Sequence, residues 1–360
     1  MARRPQAVRY HRGVLSLLST RLRHQALKPV VHTTPESVVQ ALGAVQSQDY
    51  LGAAWALALR AKGVTLADVD AALADWRIIR THVLRPTWHF VAPADLRWML
   101  ALTGPRVRML MRTYDARLEL DAKVYARARR AMTRALERDG VMTRARLGVA
   151  LTKAGVPASG QRLAHLMMDA ELEALVCSGP KRGSQMTYVL VDAHVPPAPA
   201  LSRDEALAAL AARYFASHGP ATAHDFAWWS GLTLGDARRG VEAAGVVDRL
   251  LSSPPTADRV AGAHFLISNY DEYFIAYRHR DAVIDPARAR NVGVLTSAEY
   301  PHQIVLHGRV AGSWRREIGP ARATITLKFH AAPGADALRA LMRAATQFGR
   351  FLGLPCDVRH

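Results

Sequence analysis

In the stretch LGAVQSQDYLG, residues 42 to 52, Gln46 and Gln48 stand one residue apart in an otherwise small and apolar run. A glutamine amide neither gives nor takes a proton near neutral pH, so such a pair acts through hydrogen bonds and dipoles. On one continuous α-helix, residues two apart point about 200° away from each other, and the two amides could not share a target. Val38, Leu42 and Val45 fit one apolar stripe and Leu51, Ala54 and Leu57 another, with Gln46, Ser47, Gln48 and Asp49 between them. A bend between two helices is therefore expected there, which lets both amides face one groove. The competing use is structural, with the amides capping helix ends or satisfying buried backbone.

Other chemistry is hard to find. The chain has no G-x-x-x-x-G-K-[ST] phosphate loop, no H-E-x-x-H and no G-x-S-x-G elbow. Fifteen histidines occur, but no pair stands at ligand spacing on one helix face beside a carboxylate, so neither a metal nor a cofactor is expected. Cys177 and Cys356 are the only cysteines, which excludes a disulfide framework and points to a reducing compartment.

The elements that must position the glutamines follow one grammar, namely short amphipathic helices joined by tight turns and closed by a strand-like piece. The first unit runs from TTPESVVQALGAV, with Thr34 as cap and Pro35 in the first turn, through YLGAAWALALRAKG and TLADVDAALADW. It closes in two short strands, IIRTHVLRPTWHFV, and a long helix from PADLRWML leads onward. The second unit has DAKVYARARRAMTRALERDG, MTRARLGVALTKAGV and SGQRLAHLMMDAELEAL, then VCSGPKRGSQMTYVLV as a wing with its tip over Gly179 to Gly183. HVPPAPALSRDE is a linker. The third unit, ALAALAARYFASHG, ATAHDFAWWSGL and TLGDARRGVEAAG, echoes the second. Strands are expected beyond it in HFLISNYDEYFIAY, VGVLT, QIVLHGRVAGSWRR and ATITLKFH, with a hairpin turning near Gly308 and Gly312, before a final helix. The fold class is mainly α with β (α+β): three tandem winged-helix units over 1–118, 119–194 and 200–265, then a β-rich region over 266–360.

Lys and Arg number 48 against 30 Asp and Glu, a formal charge of +18, while 50% of residues are hydrophobic. An Arg-rich excess laid over a globular composition suits a polyanion, and tandem helix-turn-helix units are commonest in nucleic-acid binders. The expected partner is double-stranded DNA, met by a monomer. VLSLLST is too short for a secretory core, and no apolar run approaches the ~20 residues of a membrane span. A cytoplasmic, nucleoid-associated bacterial protein is expected.

LGAVQSQDY, RTHVLRPTWHFVAPADLRWML, GPATAHDFAWWSGL, ISNYDEYFIAYRHR and LHGRVAGSWRR, in this order, resemble the tandem winged-helix DNA glycosylases of the AlkZ type over nearly the whole chain. The resemblance implies a concave basic surface, a DNA-reading hairpin and a catalytic Gln-x-Gln, which falls on Gln46 and Gln48. Arg85, Thr87 and His89 occupy the family's supporting strand, with Pro86 and Trp88 where Gly and Leu are more usual. Ser47 stands where the motif's middle residue is typically aliphatic. A water held near C1′ and carbonyl dipoles facing an oxocarbenium-like centre suit hydrolysis of a cationic N-alkylpurine, which leaves without much acid catalysis. Asp49 is expected to cap a helix or assist electrostatically, and Asp271 marks a further family position. For DNA contact the candidates are Arg309, Trp314, Arg315 and Arg316 around the hairpin, Lys181 and Arg182 on the second wing, and Arg162, Arg238 and Arg239 on recognition helices. Trp314 is expected either to stack on a base or to pack the hairpin, and at least one of Trp228 and Trp229 to be core. The expected activity is excision of alkylated purines, of N7 type, bulky or crosslinked, from duplex DNA. The alternative is a winged-helix regulator without catalysis.

Overall fold

Side-chain caps start the helices where the sequence supplies them. In the computed structural model, which describes residues 17–246, 260, 262–284 and 301–360, a first helix, α1, covers 17–24. Thr34 accepts from the Ser37 amide ahead of α2 (Pro35–Leu42), with Pro35 in the first turn. Gly43, at φ 81°, ends α2. The chain then enters a strand, β1 (Ala44–Gln46), before α3 (Tyr50–Ala58) and α4 (Leu66–Ala74). β2 (Ile79–Val83) and β3 (Arg85–Val91) complete a sheet of order β1-β3-β2.

The same succession recurs after α5 (Leu96–Arg117): α6 (Ala122–Asp139), β4 (Met142–Thr143), α7 (Arg144–Lys153), α8 (Gly160–Leu172), β5 (Val176–Arg182) and β6 (Gln185–Leu190). Its sheet order, β4-β6-β5, repeats the first sheet's pairing of first strand with third. The wing tip is narrower than expected: the turn is Gly183 and Ser184, and Gly179 to Arg182 form an irregularity inside the ladder.

Three capped helices follow the linker, α9 (Arg203–His218), α10 (Ala223–Ser230) and α11 (Leu234–Ala243). Beyond them HFLISNYDEYFIAY gives only a short strand, β7 (Phe265–Ile267), because Asp271 caps a helical turn, α12 (Glu272–Ile275). VGVLT lies outside the described residues. The remaining elements among the described residues are β8 (His302–Leu306), β9 (Arg309–Ile318), β10 (Ala323–Phe329), α13 (Ala335–Leu352) and an unanticipated strand, β11 (Cys356–Arg359), parallel to β10. They form one sheet of order β11-β10-β9-β8-β7. The β8–β9 hairpin turns on His307 and Gly308, both at positive φ, the geometry that matches strand twist. Gly312 lies within β9, where a Cβ would strike the Lys328 carbonyl.

Two cores meet at β1. Val45 enters the core that joins α2–α4 to the C-terminal sheet and α13, where Trp55 and Trp314 both meet Phe348. Ala44, its neighbour, enters the core that holds α5 and α9–α11, with Tyr214 and Trp229. Alternate residues of a strand face opposite sides, so Gln46 follows Ala44 toward the second core. Among the described residues, no helix is long and apolar enough to cross a membrane.

Candidate active site

The break between α2 and α3 resolves the spacing of the two glutamines. It is a short strand that carries Gln46, followed by a bend that carries Gln48, so the two do not lie on one continuous helix. Gln46 lies opposite His89, and the ladder continues one step further, with the Ser47 amide donating to the Trp88 carbonyl at 2.7 Å. Gln46 is buried, its Oε1 accepting from Arg85 Nη2 at 2.8 Å. Gln48 is exposed, its Oε1 3.5 Å from the Trp88 amide. Asp49 caps α3 by accepting from the Gly52 amide, and it also holds Arg316 at 2.6 Å.

Buried charge surrounds this segment. Glu272, fully buried, accepts the Gln46 amide at 3.0 Å through Oε1 and the Trp229 indole at 2.9 Å through Oε2, and it faces His218 Nε2 at 3.5 Å. Burial pushes its carboxyl up, but the contacts of His218, the Gln46 amide and the Arg85 charge outweigh that and hold it below the ordinary carboxylate value. His89, also fully buried, is held well below the usual imidazole value by burial and then by Arg85; its neutral ring donates from Nδ1 to the Thr87 carbonyl at 3.0 Å. Thr87 Oγ1, Ser47 Oγ and His89 Nε2 are buried without a hydrogen-bond partner among the described residues, a concentration that stable cores avoid.

A cleft of about 520 Å³ opens beside Trp88, lined also by Arg80, Arg144, Gln185, Met186 and Tyr188. Arg80 binds the Ser47 carbonyl at 3.0 Å and lies 4.6 Å over the Trp88 ring, while Glu171 accepts the Trp88 indole at 3.2 Å and pairs with His82. A guanidinium and an indole on one wall suit a negatively charged strand with an unstacked base.

The DNA-contact candidates divide. Arg316 reaches the glutamine segment through Asp49, and Lys181 lies 4.9 Å over the Tyr50 ring while paired with Asp70 at 2.8 Å. Arg315, Arg182 and Arg238 are exposed. Arg239 is exposed but bridges to Asp204 at 2.6 Å. Arg162 is spent on the carbonyls of Pro157, Leu118 and Glu119, splinting the start of α8 to the end of α5. Arg309 is seven residues from Arg316 along β9, roughly 23 Å at the rise of a strand, and so stands apart from the glutamines. Trp314 corrects an expectation: it is 1% exposed and its indole donates to the Ile267 carbonyl, so it packs the hairpin and stacks on no base. Trp229 is likewise core, whereas Trp228 is 42% exposed.

Sequence reasoning missed Arg80, Glu171, His218 and Glu272. Arg80 and His82 carried a signal, as charged or polar residues inside the apolar strand IIRTHV. Glu272 carried none, because HFLISNYDEYFIAY reads as a strand and the helical turn within it is not expected. Asp271 gains a role: it caps α12 and binds the buried Arg60 through both oxygens, at 2.7 and 2.9 Å.

A cleft walled by Arg80, Arg144 and Trp88 suits nucleic acid, and residues 39–351 match the AlkZ-like DNA glycosylase family. The chain belongs to that family; it is a DNA glycosylase and DNA is its substrate. The interstrand DNA cross-link repair glycosylase of Streptomyces sahachiroi is similar, 23% identical over 328 residues that span 82% of this chain and 85% of that protein. The solved structure of Streptomyces sahachiroi DNA glycosylase AlkZ has the same fold, with a TM-score of 0.74 at 22% identity, over 96% of this chain and 98% of that one.

Proposed function

We propose that this glycosylase hydrolyses the N-glycosidic bond of N7-alkylated purines in duplex DNA, bulky adducts and interstrand crosslinks included, with Gln46 and Gln48 as the catalytic pair. The similar Streptomyces sahachiroi protein carries crosslink repair in its name. The observation that supports the reading is that the chain leaves α2 as the strand β1 instead of continuing as a helix, and that Gln46 is anchored there at its backbone and its side chain. An N7-alkylpurine is cationic and leaves without protonation, so the enzyme's task is to hold water at C1′ and to face the developing positive charge with oxygen dipoles. Gln46 Oε1 gives one lone pair to Arg85 and keeps another. Arg85 is a like charge for the oxocarbenium-like centre, and the Glu272 carboxylate beneath Gln46 offsets it.

We read the two repeated helix-strand-helix-helix-strand-strand successions and α9–α11 as three winged-helix units, divided at 1–118, 119–194 and 200–265, with 266–360 as a C-terminal region. Exposed Arg182, Arg238 and Arg315 serve phosphate contact in this reading. One chain supplies all three units, so the enzyme acts as a monomer, in the bacterial cytoplasm at the nucleoid. Duplexes carrying a single N7-methylguanine, an N7-to-N7 interstrand crosslink or no lesion test the substrate class. Base release and unhooking should leave alkali-labile abasic sites in the first two only. Equal action on the undamaged duplex, or strand cleavage without alkali, would refute the proposal.

A further inference from the structure

Gln46 cannot orient a reacting group unless its own backbone is fixed, and the group that fixes it comes from 226 residues away. The Gln46 amide donates to Glu272 Oε1 at 3.0 Å. We infer that Glu272 is a positioning residue for the glutamine pair, acting through the Gln46 main chain and held in its turn by Trp229 and His218. This rests on the reading of Gln46 as catalytic.

The support is built rather than incidental. Glu272 opens α12, a four-residue helix with only one turn to hold it, and that turn is pinned by Asp271, which caps it and binds Arg60 through both carboxylate oxygens. Arg60 is fixed in its turn by Gln25 Oε1 and the Ala56 carbonyl, so α12 is fastened to α3, the helix that begins next to Gln48. Glu272 Oε2 receives the Trp229 indole, and His218, facing the same oxygen, stacks on Tyr214 with ring centroids 4.9 Å apart. His218 Nδ1 meets Ser217 Oγ at 2.8 Å, which closes the chain of contacts inside α9. A fully buried carboxylate is costly to keep, and packing alone would be served better by an apolar side chain. Oε2 is held by Trp229 and His218, which leaves Oε1 for one backbone amide of the segment that carries the glutamines. Burial also rules out contact between Glu272 and solvent-borne substrate, so its effect on the reaction passes through the Gln46 main chain or through its charge beside Arg85, and Glu272→Gln removes the charge while keeping the Gln46 contact.

The test is single-turnover base release from an N7-methylguanine duplex, with duplex Kd and Tm measured on the same full-length proteins. Glu272→Ala should slow release at saturating enzyme by about tenfold to a hundredfold with Kd unchanged, the expected size for losing a hydrogen bond to a charged acceptor. Glu272→Gln, whose Oε1 can still accept from the Gln46 amide, should recover part of the rate. Release by Glu272→Ala within twofold of wild type, while Gln46→Ala is slow, overturns the positioning role alone. Normal release by Gln46→Ala overturns the catalytic reading beneath it. A Glu272→Ala protein that weakens Kd as much as rate, with no rescue by Gln, also overturns it, since that is a general structural loss. Should Glu272→Ala fail to fold, Trp229→Phe decides: slower release with unchanged Kd supports the role, and an unchanged rate refutes it.

Discussion

Arg85 holds the side-chain oxygen of Gln46. Its Nη2 donates to Gln46 Oε1 at 2.8 Å in a half-buried setting, and hydrogen bonds to charged groups contribute about 1.5–3 kcal/mol. Gln46 keeps its backbone anchor on Glu272, so loss of Arg85 frees the side chain alone. If that whole contribution is expressed in the transition state, Arg85→Gln should release base about tenfold to a hundredfold more slowly at saturating enzyme. Removal of a positive charge near a developing cation works the other way, but Glu272 already sits in the field of Arg85 and partly neutralises it. Arg85→Lys separates the two effects, because it keeps the charge and loses the planar fork that fixes the amide. Single-turnover release from an N7-methylguanine duplex, across several salt concentrations so that binding is accounted for, should find both variants slow. Rates of both variants within twofold of wild type, or a faster Arg85→Gln, would show that Arg85 does not hold the amide for the reaction.

Trp314→Ala should cost about 3–5 kcal/mol of stability, read by urea denaturation, while the folded fraction binds duplex as before; weakened binding without lost stability would restore a stacking role. Arg182→Ala and Arg315→Ala should each lower the slope of log K against log salt by about 0.9, whereas Arg162→Ala should leave the slope intact and reduce Tm. His302 is lowered to about 4 by burial and then Arg316, against a partial opposing pull from Asp49. Its unfolded value is near 6.5, so between these values the unfolded chain binds a proton that the folded one refuses. Stability should therefore be full above about pH 6.5 and fall at up to about 1.4 kcal/mol per pH unit as pH drops toward 4. His302→Gln should remove the His302 share of that slope and leave the share of His89, and an unchanged slope in urea titrations would refute the assignment.

Local chemistry made most helices legible. Thr34 with Pro35, Asp121, Ser202, Thr222 and Thr233 start helices where their types predict, and the His307-Gly308 turn gives the hairpin. The glutamine pair was legible as a break but not as a strand, because three residues of β1 gain their extended form only by pairing with β3, more than 40 positions later. Trp314 could have been placed from the alternation of Gly312 and Trp314 inward against Ser313 and Arg315 outward. Lys181 and Arg162 look like free cations in sequence, and only the fold brings them against Asp70 and the end of α5. Glu272 and His218 had no sequence signal, since their meaning lies wholly in long-range contacts with Gln46 and each other.

In the proposed mechanism Gln46 and Gln48 carry the hydrolysis. It is tested most directly by single-turnover release of N7-methylguanine from duplex DNA, comparing wild type with the Gln46→Ala, Gln48→Ala double variant at matched duplex occupancy. The variant should bind duplex as wild type does and release base at least about a hundredfold more slowly, as expected when positioning and dipole effects are both removed. Equal release by the two proteins would contradict it.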